Sequence, residues 1–427
     1  MKIFVKFVSF ALALIMLSVC VSCGGEKGQE EQQVTSQKVY NTAFQQATSA
    51  IPNSTTLPTE ETTAQTDVTE FVLPSTVKRT GKRVITPQTV PMRNISSAKL
   101  LGEMKAGITL GDSFTAYGLG ESNEVEKYET YFKNPKVTKE LIDAYTTAGF
   151  SAVRIPVSWT DHIDSSGVID VAWLQRVEEV VGYVIDSGMY CIINSQNDQS
   201  WLTTNSENFN ETKAKFSALW TSIATHFEAF NDHLIFESVG DILKAENDKS
   251  EPSASDIKNA NVINQTFVDA VRATGKNNQK RHLIVSTYGA FVGSASLDGF
   301  TVPKDSAKNR LIAKVNVYVP SQFCLNESED NLWGTAEDKA YLENVLGMIN
   351  LRFSTLEIPV IIGEFGVVDK GNVSARAAYA KYFVSTAYNY YMVCFWNDNG
   401  NTMKLFNRNT AQIIHQNIVN SIISAAK

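Results

Sequence analysis

The chain has 427 residues, of which 43% are hydrophobic and 19% are charged, and its formal net charge at pH 7 is −7. Those fractions are typical of an ordinary globular protein, and the length is too great for one small domain and too short for three. An acidic balance without a basic stripe argues against nucleic acid as a partner.

The N-terminus predicts export. Lys2 and Lys6 precede an apolar run over residues 7–19, which is shorter than the roughly 20 residues that a spanning helix needs. The run ends at a small residue before Cys23, so residues 1–22 are interpreted as a lipoprotein-type signal peptide and Cys23 as the lipidated N-terminus. An ordinary signal peptide and an uncleaved anchor are the alternatives. All three place the body outside the cytoplasm, and the lipid anchor places it on the cell surface.

Two further segments precede the main domain. Residues 23–67 are rich in Thr, Ser, Gln and Glu, and they contain too little apolar surface to offset the entropy of backbone ordering. They are predicted to form a flexible tether. Residues 68–104 are interpreted as a hairpin (70–73 with 83–86) and a lead-in that packs on the barrel, and residues 105–427 as the barrel itself.

Eight short apolar runs rich in β-branched residues predict parallel strands buried on both faces. The runs cover residues 106–110, 152–157, 190–194, 234–239, 283–287, 312–318, 360–365 and 392–396. Helical periodicity lies between them, most clearly at 137–148 and 173–186. Eight strand–helix units in this length predict a (β/α)8 TIM barrel of the α/β class. A doubly wound sheet is the alternative, and the absence of GxGxxG and GxxxxGK[ST] motifs weighs against it.

Polar residues cluster where the predicted strands end, which is the face on which barrel enzymes act. Strand by strand they are Arg154, Gln196 and Asn197, Asp241, Asn316 and Tyr318, and Glu364. A buried charge is costly unless it is paired, so a structural ion pair for Arg154 and a capping role for Glu364 are the simpler alternatives. A ring of such residues at one level favours a functional site.

These residue types suit a sugar substrate. A cationic Arg154 beside Glu364 would keep that carboxylate ionised, as the nucleophile of a retaining glycosidase requires. Four tryptophans lie in or next to strand-to-helix loops, where an aromatic face can stack on a pyranose ring; they are Trp159, Trp201, Trp333 and Trp396. Packing within the loops is the alternative for each of them.

Several motifs resemble those of family 5 glycoside hydrolases, the family of cellulases and mannanases. The matching stretches are GITLG at 107–111, GFSAVRIPVSW at 149–159, HLIFE at 233–237, IPVIIGEFG at 358–366 and WNDNG at 396–400. The resemblance implies a barrel that cleaves β-linked polysaccharide with retention. It further implies Glu364 as nucleophile, Arg154 and Tyr318 as its supports, and Trp396 as the platform under the reacting sugar. Trp159 and Trp201 are further candidates for substrate contact.

The chain departs from the family pattern on the proton-donor side. Where the family has Asn-Glu-Pro, this chain has Gly240-Asp241-Ile242, so Asp241 would act as a short acid/base whose carboxyl sits ~1.5 Å back. A displacement of ~1 Å can cost on the order of 100-fold in rate. The family histidines of strands three and six are replaced by Gln196 with Asn197 and by Asn316, none of which titrates near neutral pH.

The sequence therefore predicts an exported carbohydrate-active protein that resembles a retaining endo-β-glycanase of weak or specialised activity. A catalytically silent glycan-binding lipoprotein is the main alternative, and a structural or adhesive surface protein is a third. The expected partner is a β-linked polysaccharide or oligosaccharide, with membrane contact only through the lipid anchor, and the chain is expected to be a monomer. Five scattered histidines offer no metal-ligand cluster, and no cofactor is expected.

Overall fold

The computed structural model describes residues 92–120, 124–164, 167–327 and 332–427. Within these ranges eight parallel strands close into a barrel in sequence order, which confirms the predicted TIM barrel. The predicted signal peptide, the lipidation site Cys23, the tether and the hairpin over 70–86 lie outside the described residues and stay predictions.

Each predicted strand overlaps an observed one. The strands are β1 (Gly107–Leu110), β2 (Ala152–Ile155), β3 (Tyr190–Asn194), β4 (Leu234–Glu237), β5 (Leu283–Ser286), β6 (Leu311–Asn316), β7 (Val360–Phe365) and β8 (Val393–Asp398). After the barrel closes, β9 (Phe406–Asn407) and β10 (Gln412–Ile413) form a small antiparallel pair.

Helices follow the strands around the outside of the barrel. They are α1 (Ser97–Glu103), α2 (Val125–Glu129), α3 (Lys139–Ala148), α4 (Val171–Asp186), α5 (Phe209–His226), α6 (Ala254–Ala273), α7 (Ser294–Gly299), α8 (Ser321–Leu325), α9 (Ala336–Thr355), α10 (Val373–Asn389) and α11 (Gln416–Ala425). In the described ranges, no helix is both long and apolar enough to cross a membrane.

The barrel interior has an apolar lower layer. Successive strand side chains point alternately to the interior and to the helices, so every second residue shares a face. One buried cluster joins strand residues to α1, and its members are Leu100, Leu101, Met104, Ala152, Tyr190, Ile192, Ile235, Ile284, Ile312, Ile361, Val393 and Phe395. The intervening strand residues, such as Ile108 and Val153, pack with the helices in the larger outer cluster.

Helix α1 closes the lower end of the barrel. Ser96 caps it by accepting a hydrogen bond from the amide of Lys99. Ser97 Oγ lies 2.9 Å from Nδ1 of His282, whose Nε2 lies 2.9 Å from Nη1 of Arg310. Because arginine only donates, Nε2 is the acceptor and Nδ1 carries the proton. Burial lowers the pKa of His282 to about 3, so the ring stays neutral and structural.

Close packing inside this layer leaves no space for a side chain at Gly107. A Cβ on Gly107 would lie 2.3 Å from Cδ1 of Phe395, whereas a Cβ on Gly102 in α1 would have no neighbour within 4 Å. We expect Gly107→Ala to lower the free energy of unfolding by about 1–3 kcal/mol through overpacking. Gly102→Ala, the matched control, should raise it by about 0.5–1 kcal/mol because alanine favours the helix. Urea unfolding measures both, and equal effects would contradict the packing described.

Candidate active site

Glu364 lies at the end of β7 and is held by two donors. Its Oε1 accepts a hydrogen bond from Nη1 of Arg154 at 2.8 Å, and its Oε2 accepts one from the hydroxyl of Tyr318 at 3.1 Å. Asn397 Nδ2 donates to that hydroxyl at 2.9 Å, which fixes its orientation. The Glu364 side chain is 17% exposed while that of Arg154 is fully buried. The two donors therefore orient the carboxylate, and part of it remains accessible from the cleft.

Arg154 is anchored by a second carboxylate, Glu237, that the sequence analysis did not assign to the site. Arg154 donates to Glu237 through Nε at 2.6 Å and Nη2 at 2.7 Å, and neither side chain is exposed. Lys314 Nζ lies 3.2 Å from Glu237 Oε1, and Asn194 Nδ2 donates to the same oxygen at 3.0 Å. Burial alone would raise the pKa of Glu237, but Arg154 and Lys314 lower it to about 2.

The strand alternation contains the signal that was missed. Glu237 follows the interior residue Ile235 by two positions, and Lys314 follows the interior residue Ile312 by two. Both side chains must therefore enter the barrel one layer above the apolar cluster. Arg154 follows the interior residue Ala152 in the same way. The side chains of Arg154, Glu237 and Lys314 therefore lie in the same layer inside the barrel.

Asp241 follows β4 and accepts hydrogen bonds on both carboxyl oxygens. Gln196 Nε2 donates to Oδ1 at 3.0 Å and Gln199 Nε2 donates to Oδ2 at 3.2 Å. Gln199 is in turn fixed because its Oε1 accepts from the amide of Asn247 at 3.2 Å. Burial raises the pKa of Asp241, and the charge of Lys314 opposes that rise. The two N–H donors suit a carboxylate, but burial has the larger effect and the pKa of Asp241 is raised from its ordinary value.

Gln196 and Gly240 are sterically coupled. A Cβ on Gly240 would lie 1.5 Å from Oε1 of Gln196, so the glutamine occupies the space that any side chain at 240 needs. The same oxygen lies 3.4 Å from Nη2 of Arg154 and accepts from Asn194 Nδ2 at 3.3 Å. Gln196 thus connects the arginine network to Asp241, and the two departures from the family pattern belong together.

The other two predicted amides lie at neighbouring strand ends. Asn197 has a left-handed backbone (φ 56°), and its Nδ2 donates to the carbonyl of Thr115 at 3.1 Å, which ties the β1 loop to the β3 loop. Asn316 pairs with Glu364 across a register shift between β6 and β7. Its Oδ1 is buried and makes no hydrogen bond within the described ranges.

The expected platform role of Trp396 is wrong. Trp396 is fully buried, donates from Nε1 to the carbonyl of Met403 at 2.9 Å, and packs edge-on against Phe365. Phe395 belongs to the interior cluster, so alternation turns Trp396 towards the helices and Asn397 towards the cleft. No face of Trp396 is left for a sugar, and the inward position beside Tyr318 carries an amide.

The remaining tryptophans differ in accessibility. Trp159 is also fully buried and donates from Nε1 to the carbonyl of Asn194 at 2.9 Å, which contradicts a stacking role. Trp201 is half-buried, with Lys215 Nζ 4.4 Å from its ring centre, and it stays a candidate for sugar contact. Trp333 is half-buried against Tyr379 and Tyr382, with ring centres 5.3 and 5.4 Å away.

The described residues contain no group of three or more His, Cys, Asp or Glu side chains that could hold a metal ion. The polar side chains described at the site are carboxylates, amides, a guanidinium and a phenol. His162 stacks on Trp173 at 3.9 Å between ring centres, and burial lowers its pKa to about 4.

A parallel barrel that presents a strand-seven carboxylate between an arginine and a tyrosine has the architecture of a glycoside hydrolase. Residues 116–402 match the family model described as Cellulase (glycosyl hydrolase family 5). The chain belongs to glycoside hydrolase family 5.

Its relatives include named endoglucanases. The cellulase/esterase CelE of Acetivibrio thermocellus is 36% identical over 347 residues, which cover 78% of this chain and 41% of that protein. Endoglucanase A of Paenibacillus barcinonensis is 35% identical over 370 residues, covering 78% of this chain and 90% of that enzyme. A GH5-4 broad specificity endoglucanase from Ruminococcus champanellensis, solved with bound cellotriose, superposes with a TM-score of 0.75 at 35% identity, covering 78% and 100% of the two chains.

The low pKa of Glu237 makes the site a source of acid sensitivity. Since the folded-state pKa of about 2 lies below the ordinary value of 4.5, the ionised form stabilises the fold above pH ~4.5, and that stability is lost as the pH falls towards ~2. The contribution is roughly 3 kcal/mol. We expect the stability difference between wild type and Glu237→Gln, measured by chemical denaturation, to shrink over this range. A difference that does not change with pH would contradict the ion pair, and Glu337→Gln, at an exposed position on α9, controls for loss of a carboxylate.

The coupling between positions 240 and 196 predicts non-additive substitutions. Gly240→Ala should displace Gln196 from its contacts and cost about 1–2 kcal/mol of folding free energy. In a Gln196→Ala background the space is vacant, so the same change should cost less, with a coupling energy on the order of 1 kcal/mol. A double-mutant cycle measured by unfolding tests this, and strict additivity would rule out the steric relation.

Proposed function

We propose that the cleft binds a β-1,4-linked glucan chain and that Glu364 attacks its anomeric carbon, which gives a covalent glycosyl ester and overall retention. The observation that carries this proposal is the Glu364 carboxylate held between Arg154 at 2.8 Å and Tyr318 at 3.1 Å. The names of the relatives, which are endoglucanases, and the cellotriose bound to one solved relative support the choice of substrate.

The two half-reactions place opposite demands on Asp241. In the first, the departing glycosidic oxygen needs a proton from an acid, and in the second, the attacking water must give a proton to a base. Asp241 is shorter than the family glutamate, and both its oxygens already accept from Gln196 and Gln199. These features weaken it as the acid of the first step and suit it as the base of the second.

Formation of the glycosyl ester should therefore limit the rate on natural glucans. A substrate whose leaving group departs as a stable anion does not need the acid. The proposal is a retaining β-glucanase that turns over activated glycosides well and polymeric glucan slowly. The preference for activated glycosides comes from Asp241 on the proton-donor side and not from the nucleophile Glu364.

The quantity to compare is the rate of hydrolysis of 2,4-dinitrophenyl β-cellobioside divided by that of cellohexaose. We expect this ratio to be at least ~100-fold larger for this protein than for an enzyme with an intact acid. Glu364→Ala should abolish both reactions, and Asp241→Glu should raise the rate on cellohexaose by ~10-fold or more because it returns the missing reach. Glu337→Ala on the exposed face of α9 is the matched control. Initial rates, together with mass spectrometry of the adduct formed from a 2-deoxy-2-fluoro cellobioside, measure these effects.

Glycan binding without turnover is the second candidate. Each Asp241 oxygen accepts from an amide donor, and the cleft residues are mostly neutral hydrogen-bonding groups, which favours a site that holds sugar hydroxyls. Calorimetric binding of cellohexaose with neither product nor covalent adduct would establish it and would contradict the hydrolase proposal. An adduct on Glu364 would exclude it.

A further inference from the structure

Tyr131 is an exposed aromatic residue on the segment between α2 and α3. The residue is 54% exposed, and its ring meets that of Phe132 edge to face, with the ring centres 5.0 Å apart and the planes at 81°. In an edge-to-face pair at most one face of either ring is covered by the other ring. Phe132 is half-buried and packs against the main core. Tyr131 therefore has an anchored neighbour and at least one face that Phe132 leaves open.

A turn fixes the backbone that carries Tyr131. The amide of Tyr131 donates to the carbonyl of Tyr128 at 3.3 Å, and the amide of Lys133 donates to the carbonyl of Thr130 at 2.9 Å. Lys133 has a φ of 63°, in the left-handed region that residues with a side chain rarely adopt. Such a conformation persists only where the surrounding contacts determine it, and it occurs often at ligand sites. The ring is thus presented by a defined turn, which lowers the entropy lost when a ligand binds.

Asn134 joins this turn to the mouth of the barrel. Its Nδ2 donates to the carbonyl of Asp112, two residues after β1, at 3.0 Å and to the carbonyl of Asn399, directly after β8, at 3.2 Å. Strands β1 and β8 are neighbours in the barrel, and both end on the face at which Glu364 lies. Tyr131 therefore belongs to the rim of the candidate active site.

The barrel order places Tyr131 and Trp201 on different sides of the cleft. Strands β8 and β1 come next after β7, which carries Glu364, whereas β3 is next to β4, which leads to Asp241. Trp201 is half-buried in the loop after β3 and so lies on the Asp241 side. Tyr131 lies on the Glu364 side. A sugar chain that passes over both carboxylates therefore has an aromatic residue on each side of the reacting bond.

The other exposed tyrosines lie at the opposite end of the barrel. Tyr388 and Tyr391 are exposed near the end of α10, which precedes β8. A residue that directly precedes a barrel strand lies at the end away from the cleft. Among the exposed large aromatic residues of the described ranges, Tyr131 is the one in a loop that follows a strand.

We propose that Tyr131, supported by Phe132, is a platform on which a glucose unit of the chain stacks, away from the reacting bond on the Glu364 side of the cleft. The inference deepens the proposed function and rests on it for the choice of a glucan as ligand. A pyranose ring has a face of C–H groups that packs on an aromatic face while the hydroxyls at its edge stay hydrated. The platform takes the stacking role that buried Trp396 and Trp159 cannot have.

The test measures binding without turnover. The full-length protein is titrated in a calorimeter with a cellohexaose analogue whose units are joined through sulfur, because such bonds resist hydrolysis. We expect Tyr131→Ala to weaken binding ~3–10-fold, the size of one lost aromatic contact. Tyr131→Phe and Tyr131→Trp keep an aromatic face and should bind within about twofold of the wild type, which a loss of local structure would not allow. Tyr388→Ala removes an exposed tyrosine at the other end of the barrel and should change nothing.

The outcomes separate this inference from the proposed function. Unchanged affinity in Tyr131→Ala, an equal loss in Tyr388→Ala, or an equal loss in the phenylalanine and tryptophan variants overturns the platform, while binding by the wild type still supports a glucan site. If the wild type does not bind the analogue, the inference fails, and the initial rates on cellohexaose then decide separately on hydrolysis. Thermal unfolding of each variant checks the fold, and an exposed side chain at position 131 should leave the midpoint close to that of the wild type.

Discussion

The buried guanidinium of Arg154 is the interaction on which the site depends. An unpaired charge inside a barrel would be prohibitively costly, and Arg154 is offset by two chelating contacts to Glu237 and one contact to Glu364. Its planar fork allows one side chain to satisfy both carboxylates, which an ammonium could not do in the same geometry. The position of the proposed nucleophile therefore follows from a structural ion pair one layer below it.

This arrangement is possible because the barrel is filled in two chemically different layers. The lower layer is apolar and is closed by α1, so it excludes water from below. The layer above it contains Arg154, Glu237 and Lys314, all of them fully buried, together with Asn194. In this low-dielectric interior each charge interacts strongly with its neighbours. The positions of the strands therefore determine the electrostatic potential in the cleft. The polar layer is rigid because the apolar layer holds its strands in register.

The fold and half of the site were predictable from the sequence for clear physical reasons. Continuous apolar runs predict strands buried on both faces, and the residues at their ends converge because parallel strands end together. The proximity of Arg154, Tyr318 and Glu364 follows from that rule. Trp396 differs from the prediction because the face of the strand, and not the residue type, decides which side chain enters the cleft: two-residue alternation from Phe395 assigns Asn397 to it.

Other features of the site cannot be predicted from strand ends. The contact of Gln196 with the space above Gly240, and that of Lys314 with its carbonyl, depend on side chains that cross the barrel from non-adjacent positions.

These crossing contacts bear on how the departures from the family pattern should be understood. Taken singly, a glycine at 240, a shortened carboxylate at 241 and a glutamine at 196 each suggest loss. In the structure they form one connected set, in which Gln196 fills the space left by Gly240 and donates to Asp241. Lys314 joins the same set through the Gly240 carbonyl. A side chain at position 240 alone would therefore clash with Gln196, which occupies that space. The proton-donor side is one connected polar network around Asp241, and its chemistry has to be judged as a unit.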